Sequence, residues 1–328
     1  MLHWSIEEKR LDLIYNWKIS RNESSFKDNF FVSVSDDHVT GTGETAPNIR
    51  YGETPENIKK EFKDFLNLQP QKVQDLNELV ELLKEINLSN SLRFGIESAF
   101  IHWYSTKNNI SLVNFLNIPP VKEIQTSYTI PIMSAQEVAA FIQKHHLSRF
   151  KSLKIKIGTE ELELIKAVAE VYAGPLRIDA NEAWKDPDQL LVFLNKLKHL
   201  NIEFIEQPFP GTSLEEYKYL KKKSPYPVFG DESVTSQNDM EELAQQFHGI
   251  NMKLMKAGGY LNGIRILNEA KKLGLQTMIG CMVETTLGIR SGMYLCGLAD
   301  YADLDGSFVI GNEPFDLMKE QDGMLSFK

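Results

Sequence analysis

Apolar and polar positions follow two different rhythms along this chain, and the change falls near residue 120. Residues 2–51 read as strands, with Phe30-Phe31-Val32-Ser33-Val34 as the β-rich centre. The glycines of Val39-Thr40-Gly41-Thr42-Gly43-Glu44 are those expected of a turn or bulge. Residues 55–118 read as helices: Pro55-Glu56-Asn57 opens one, and 73–88 carries apolar residues at helical spacing. Strands followed by helices predict a separate α+β domain. From about residue 124 strands and helices alternate strictly. The predicted strands are Ser127–Ile132, Leu153–Ile157, Leu176–Asp179, Glu203–Glu206, Pro227–Gly230, Ile250–Leu254, Gln276–Gly280 and Tyr301–Asp305, with amphipathic helices between them. That pattern fits a closed parallel barrel better than an open sheet, because no glycine-rich dinucleotide fingerprint follows the first strand. The domains expected are an α+β capping domain over 1–120, a barrel over 121–311, and a tail, 312–328, packed back on the capping domain.

Composition narrows the classes of function. The 328 residues are 42% hydrophobic and 25% charged, as in an ordinary globular protein. A net charge of −9 argues against a nucleic-acid partner, which calls for a basic surface. No apolar run approaches the roughly 20 residues of a membrane span, and Met1 to Ser20 carries charges where a signal peptide needs an apolar core. Cys281 and Cys296 do not suggest a disulfide framework. A cytoplasmic enzyme, assembled as a homo-oligomer, is the expectation.

The chemistry lies at the predicted strand ends. Lys154-Ile-Lys156, Asp179-Ala-Asn181, Glu206-Gln-Pro, Asp231-Glu-Ser and Lys253 follow one another at intervals of 22–27 residues, about one strand plus one crossover helix. In a parallel barrel the strand C-termini form the active face. Asp179, Glu206 and Asp231 would come from three neighbouring strands, and three converging carboxylates stay ionised most cheaply around a shared hard cation. An all-oxygen set suits Mg²⁺ better than zinc. Lys154 and Lys156, two apart on a strand, point to the same side and must face the barrel interior. In the sixth strand the same parity turns Asn251 and Lys253 inward, while Lys256 beyond it reads as a structural or peripheral charge. Lys156 and Lys253 would then flank a bound carboxylate compound from opposite sides, an arrangement suited to removing an α-proton on one face and returning it on the other. Such bases need a pKa brought down by neighbouring positive charge and desolvation. On the eighth strand Asp303 and Asp305 share a face away from the other acids, a seat for an ammonium group.

These motifs, together with the Gly43-Glu44-Thr45-Ala46-Pro47 turn and the Lys253-x-x-Lys256-x-Gly-Gly run, resemble the muconate-lactonizing-enzyme subgroup of the enolase superfamily over essentially the whole chain. The resemblance implies a modified TIM barrel, (β/α)7β, with an α+β capping domain. It implies one Mg²⁺ on Asp179, Glu206 and Asp231, and Lys156 and Lys253 as the acid/base pair. Asp303-Leu304-Asp305 looks like the motif with which dipeptide epimerases hold the substrate's α-ammonium. By the same resemblance Thr129, Lys154, Cys281, Met282 and Glu284 contact a dipeptide substrate. Arg21 and Phe26 would do so from a loop of the capping domain. Other enolate reactions of the subgroup remain open: muconate cycloisomerisation, o-succinylbenzoate synthesis and N-acylamino acid racemisation. So does a barrel that binds a ligand without turnover. Side-chain preference is open as well: Arg21, Lys18 and Lys27 would suit an acidic residue, Phe26 an apolar one and Glu284 a cation.

Overall fold

The computed structural model describes residues 1–20, 22–159 and 161–328. A long antiparallel hairpin, His3–Lys18 with Glu23–Ser35, starts the chain, and Thr40–Thr45 adds a third strand. One face of this sheet buries Phe30, Val32 and Val34 with Ile96, Phe100 and Trp103 of the helix Asn90–Lys107. Gly41 and Gly43 do not form the turn or bulge expected of them; they lie in regular strand pairing. A Cβ on Gly41 would stand 2.2 Å from the Ala99 carbonyl oxygen, and one on Gly43 2.2 Å from that of Gly95. The helix backbone therefore rests directly on the strand, and only hydrogen atoms fit between them.

The second half forms an eight-stranded parallel sheet in which every strand lies beside its neighbour in sequence. The strands are Tyr128–Ile130, Leu153–Lys156, Leu176–Asp179, Ile202–Glu206, Val228–Gly230, Gly249–Lys253, Gln276–Gly280 and Tyr301–Asp303. Each overlaps one of the predicted eight. Ile155, Ile178, Ile205, Met252 and Ile279 point outward into the main core beneath the helices. The inward positions form two tiers. Phe204, Phe229, Met278 and Tyr301 make an apolar floor, with the rings of Phe204 and Phe229 stacked at 4.1 Å. Two residues further along each strand come Glu206, Asp231, Gly280 and Asp303, so the charged tier stands on the floor. Side chains close the seam between the first and eighth strands: Leu304 N donates to Thr126 Oγ1 at 2.7 Å and Ser127 Oγ to Asp303 Oδ1 at 2.5 Å. The fold is a modified TIM barrel carrying an N-terminal α+β capping domain.

The tail divides between the halves: Asn312, at its start, accepts from Asp12 N and donates to Arg10 O of the capping domain, as expected, while its end packs elsewhere. Met318–Gln321 and Met324–Phe327 form a hairpin that pairs with Glu123–Gln125, just before the first barrel strand. Phe315 still meets Phe31 of the N-terminal sheet edge-on at 4.8 Å.

Two buried glutamates join the halves. Glu44, on the third N-terminal strand, accepts from Thr285 N, Thr285 Oγ1 and Gly288 N at the start of barrel helix Thr286–Tyr294. Glu97, in the helix Asn90–Lys107, accepts from Leu261 N in the first turn of barrel helix Tyr260–Lys272. Gly259 leads into that helix with φ 150°, and a Cβ there would stand 2.5 Å from the Glu97 carboxyl group. Carboxylates at helix N-termini satisfy amides that lack an intrahelical acceptor. Among the described residues no helix is long and apolar enough to cross a membrane.

Candidate active site

The mouth of the barrel opens into a cavity of about 570 Å³ that the capping domain roofs. Its floor is the charged tier. Asp179, Glu206 and Asp231 are buried, and one carboxylate oxygen from each lies within 4.8 Å of the others. Lys154 Nζ stands among them, 2.9 Å from Asp179 Oδ2, 3.0 Å from Glu206 Oε2 and 2.8 Å from Asp303 Oδ2. Lys156 Nζ is 2.5 Å from Asp179 Oδ2, and Lys253 Nζ is 2.9 Å from Asp231 Oδ2. The second and sixth strands lie four places apart in the eight-stranded order, so these two lysines meet the acids from opposite sides. Asn251, inward on the sixth strand, donates to Glu206 Oε1 at 2.8 Å.

Of the two roles open to Lys256, structural or peripheral, it takes the structural one. It is buried and bonds to the Asp231 carboxylate at 2.5 Å and to the backbone oxygens of Asp231 and Asn251. Its place in the short helix Leu254–Ala257 folds it back under the strand end, where it fixes Asp231. Parity along a strand carries no information about a residue one turn beyond it.

The three acids fit a hard cation. Glu206 Oε2 is buried and accepts no aligned hydrogen bond, although Lys154 is near. Burial, opposed by Lys154 and reinforced by Asp179 and Asp231, pushes the Glu206 carboxyl up to about 7. A divalent ion would answer both the open oxygen and the repulsion. For Lys253 the expected low pKa is not what the side chains alone produce. Burial opposes the charge on Lys253, but Asp231 outweighs it and holds the ammonium above the ordinary lysine range. Lys154 is raised in the same way by Asp179, Asp303 and Glu206 against its burial. Positive charge beside Asp231 would work against that hold on Lys253.

Asp303 and Asp305 both face the cavity. Asp303 is held well below the ordinary carboxylate range, burial being overcome chiefly by Lys154. Burial and the neighbouring Asp303 push Asp305 up to about 6. Thr129 lines the cavity and gives its backbone N–H to Asp305 Oδ2 at 2.6 Å. Cys281 and Met282 line it too, the thiol spanning Asp303 O and Gly306 N at 3.3 Å each.

Glu284 is not turned toward the cavity. Its carboxyl accepts from Met282 N at 2.7 Å and lies close to Gly288 beside Glu44. Burial, then repulsion from Glu44, pushes it up to about 8. The loop after the seventh strand doubles back, so Glu284 braces the loop where the sequence suggested a partner for a cationic side chain.

From the capping domain, Phe26 lines the cavity, with the Arg10 guanidinium 3.8 Å above its ring. Arg21 lies outside the described residues. The hairpin end is docked on the barrel: Ile132 N donates to Lys18 O at 3.1 Å and Ser20 Oγ to Asn181 O at 3.0 Å. Sequence reasoning gave no site role to Asn48, Ile49, Arg50 and Tyr51, which hang over the cavity from the turn after Pro47. Arg50 forms an ion pair with Glu182 across to the barrel. The Glu44–Pro47 turn just before them was their only signal.

Residues 135–304 match the family described as "Enolase C-terminal domain-like". The chain is 30% identical to the L-Ala-D/L-amino acid epimerase of Flavobacterium johnsoniae, over 98% of this chain and 96% of that one. The dipeptide epimerase of Methylococcus capsulatus, solved with Mg and the dipeptide L-Arg-D-Lys, superposes with a TM-score of 0.89 at 26% identity, covering 99% and 96% of the two chains. The substrate-liganded L-Ala-D/L-Glu epimerase of Bacillus subtilis has the same fold, with a TM-score of 0.91 at 24% identity over 99% and 96%. Strand-end acids, paired lysines and a roofed barrel mouth thus coincide with likeness over the whole chain, and the protein belongs to the enolase superfamily.

Proposed function

We propose that the protein is a Mg²⁺-dependent dipeptide epimerase that inverts the α-carbon of the C-terminal residue. The observation that carries this reading is the pair Lys156 and Lys253 facing each other across three buried acids, with Asp303 and Asp305 beside them. Asp179, Glu206 and Asp231 would hold the metal. Bound there, Mg²⁺ would supply positive charge that attracts a substrate carboxylate, stabilises negative charge growing on it and offsets the pull of the acids on the lysines.

The chain does the rest. The neutral amine of one lysine takes the α-proton, leaving an enolate on the substrate's carboxylate group, and the ammonium of the other gives a proton to the opposite face of the same carbon. Reversing the roles inverts the other epimer. Lys154, anchored on Asp179, Glu206 and Asp303, adds a fixed positive charge at the floor. Asp303 and Asp305, at the end of the eighth strand and just past it, hold the dipeptide's ammonium, so a free amino terminus is read about one residue away from the reacting carbon. The roof excludes water from the proton transfers.

A dipeptide library incubated in D₂O with Mg²⁺ tests this: deuterium should enter the C-terminal α-position with inversion. Exchange confined to N-acylated amino acids would move the assignment to another enolate reaction of the superfamily.

The roof gives a first indication of preference. Lys27 lines the cavity half-buried, and desolvation lowers its pKa. Among the described residues no carboxylate pairs with it, which suits an acidic C-terminal side chain. Replacing Lys27 by Met should reduce kcat/KM for dipeptides ending in Glu about tenfold, the worth of one charge-assisted hydrogen bond. Activity on dipeptides ending in Leu should be unchanged. Equal losses on both would show that Lys27 does not select the side chain.

A further inference from the structure

The capping-domain turn that hangs over the cavity is preformed at its root. Asn48 Oδ1 accepts from Arg50 N at 3.0 Å, while Glu53 accepts from Asn48 N at 3.0 Å and from Ser91 N at 3.1 Å. Ser91 belongs to the helix Asn90–Lys107, so the root is fixed to the capping domain. Gly52 closes the turn with φ 74°, a backbone that favours glycine. Toward the barrel, Asn48 Nδ2 reaches a sulfur, that of Met282, at 3.9 Å, whereas Arg50 meets a carboxylate, that of Glu182. The pair is shielded from solvent, the Arg50 side chain being 33% exposed and that of Glu182 8%.

A strained corner presents Glu182 to Arg50. Asn181 and Glu182, just past the third barrel strand, both take left-handed conformations, φ 41° and 64°, which residues with side chains seldom adopt. Glu182 N donates to Gln207 O at 2.7 Å, and the carboxylate also accepts from Gly211 N at 3.1 Å. The barrel therefore holds this acid in place independently of Arg50. Beyond Arg50 the turn continues across the mouth. Tyr51, its ring 6.0 Å from the Arg50 guanidinium, lies near Asp231, Glu232 and Lys253. Burial first, then those two acids, hold its phenol above the ordinary tyrosine range, so the hydroxyl stays neutral. The turn thus reaches from the end of the third strand, where Arg50 is tied, to the Lys253 side of the cavity, where Tyr51 stands.

We propose that Arg50 and Glu182 are positioning residues: their ion pair clamps the turn so that Tyr51 keeps the Lys253 side of the cavity closed during proton transfer. This rests on the dipeptide reading. Glu44 and Glu97 already join the two halves at helix starts, so the clamp acts at the mouth and not on the assembly of the domains. With the clamp gone the turn lifts and Tyr51 no longer packs over Lys253. That lysine then loses the fixed surroundings from which it reaches the α-carbon. Lys156, on the opposite side, keeps its own. The defect should therefore be one-sided.

α-Proton exchange in D₂O, followed by NMR from each of the two dipeptide epimers separately, tests this. Lys253→Ala identifies the epimer whose proton faces Lys253. From that epimer Arg50→Met should exchange about tenfold more slowly, and from the other within about twofold of the unmodified enzyme. Glu182→Gln should show the same asymmetry. The double variant R50M/E182Q should be no slower than R50M, because the two side chains act as a unit. Unchanged exchange in R50M would overturn the proposal, as would additive losses in the double variant. Equal losses from both epimers with a lower Tm would overturn it too, since the pair would then be a structural tie. So would a loss confined to dipeptides ending in an acidic residue, which would make Arg50 a side-chain contact. Absence of exchange with any dipeptide in the unmodified protein would instead remove the functional reading on which the proposal rests.

Discussion

Alanine at Lys156 or at Lys253 should each reduce epimerisation about a thousandfold, the middle of the range for a positioned general acid or base and roughly 4 kcal/mol of transition-state stabilisation. The informative result is stereochemical. With one lysine gone, the other still faces one side of the α-carbon and can remove and return a proton there without inversion. Each variant should therefore keep α-proton exchange in D₂O from one epimer and lose it from the other, and the two patterns should be mirror images. NMR of both dipeptide epimers with both variants reads this directly. Loss of all exchange in one variant and none in the other would mean a single base. The folds should survive, since Asp179 keeps Lys154 as a partner and Asp231 keeps Lys256.

Metal removal should be as severe. Treatment with EDTA should reduce turnover to background, and Mg²⁺ should restore it. Thermal unfolding gives a readout independent of activity. Ligand at a hundred times its dissociation constant adds about 2.7 kcal/mol, which in a protein of this size is a rise of roughly 5 °C. Glu206→Gln should abolish that rise: it removes one of three charges and leaves an amide where the open Oε2 now stands. If E206Q kept the full Mg²⁺-dependent shift, the cation would be bound elsewhere.

Much of this site was legible before any coordinates because it lies on strands. A strand has a period of two, so Lys154 and Lys156, or Asn251 and Lys253, declare a common side, and even spacing declares that the sides converge. Three kinds of feature escaped that logic. Glu284 and Lys256 lie just past strand ends, where the chain turns and parity lapses. Gly41 and Gly43 read as loop-formers locally, but their reason is a helix more than fifty residues away whose backbone needs their missing side chains. Ser127 meets Asp303 across the barrel seam, 176 residues away in sequence. No local pattern marks one serine out from others when its role comes from a partner that distant.

The glutamates that cross between the halves bear on how such a protein can change over evolutionary time. The helices after the sixth and seventh strands begin with amides whose acceptors, Glu97 and Glu44, lie 164 and 241 or more positions earlier in the chain. The catalytic barrel is therefore not an interchangeable part. A lid borrowed from another lineage to suit a new dipeptide would have to bring its own two carboxyl groups to the same places, or the helices after the strand that carries Lys253 and the loop that carries Cys281 would each begin with amides left without an acceptor. Innovation in what the roof recognises is thereby confined to the hairpin end and to the turn after Pro47, while the two plugs that join roof to barrel stay fixed.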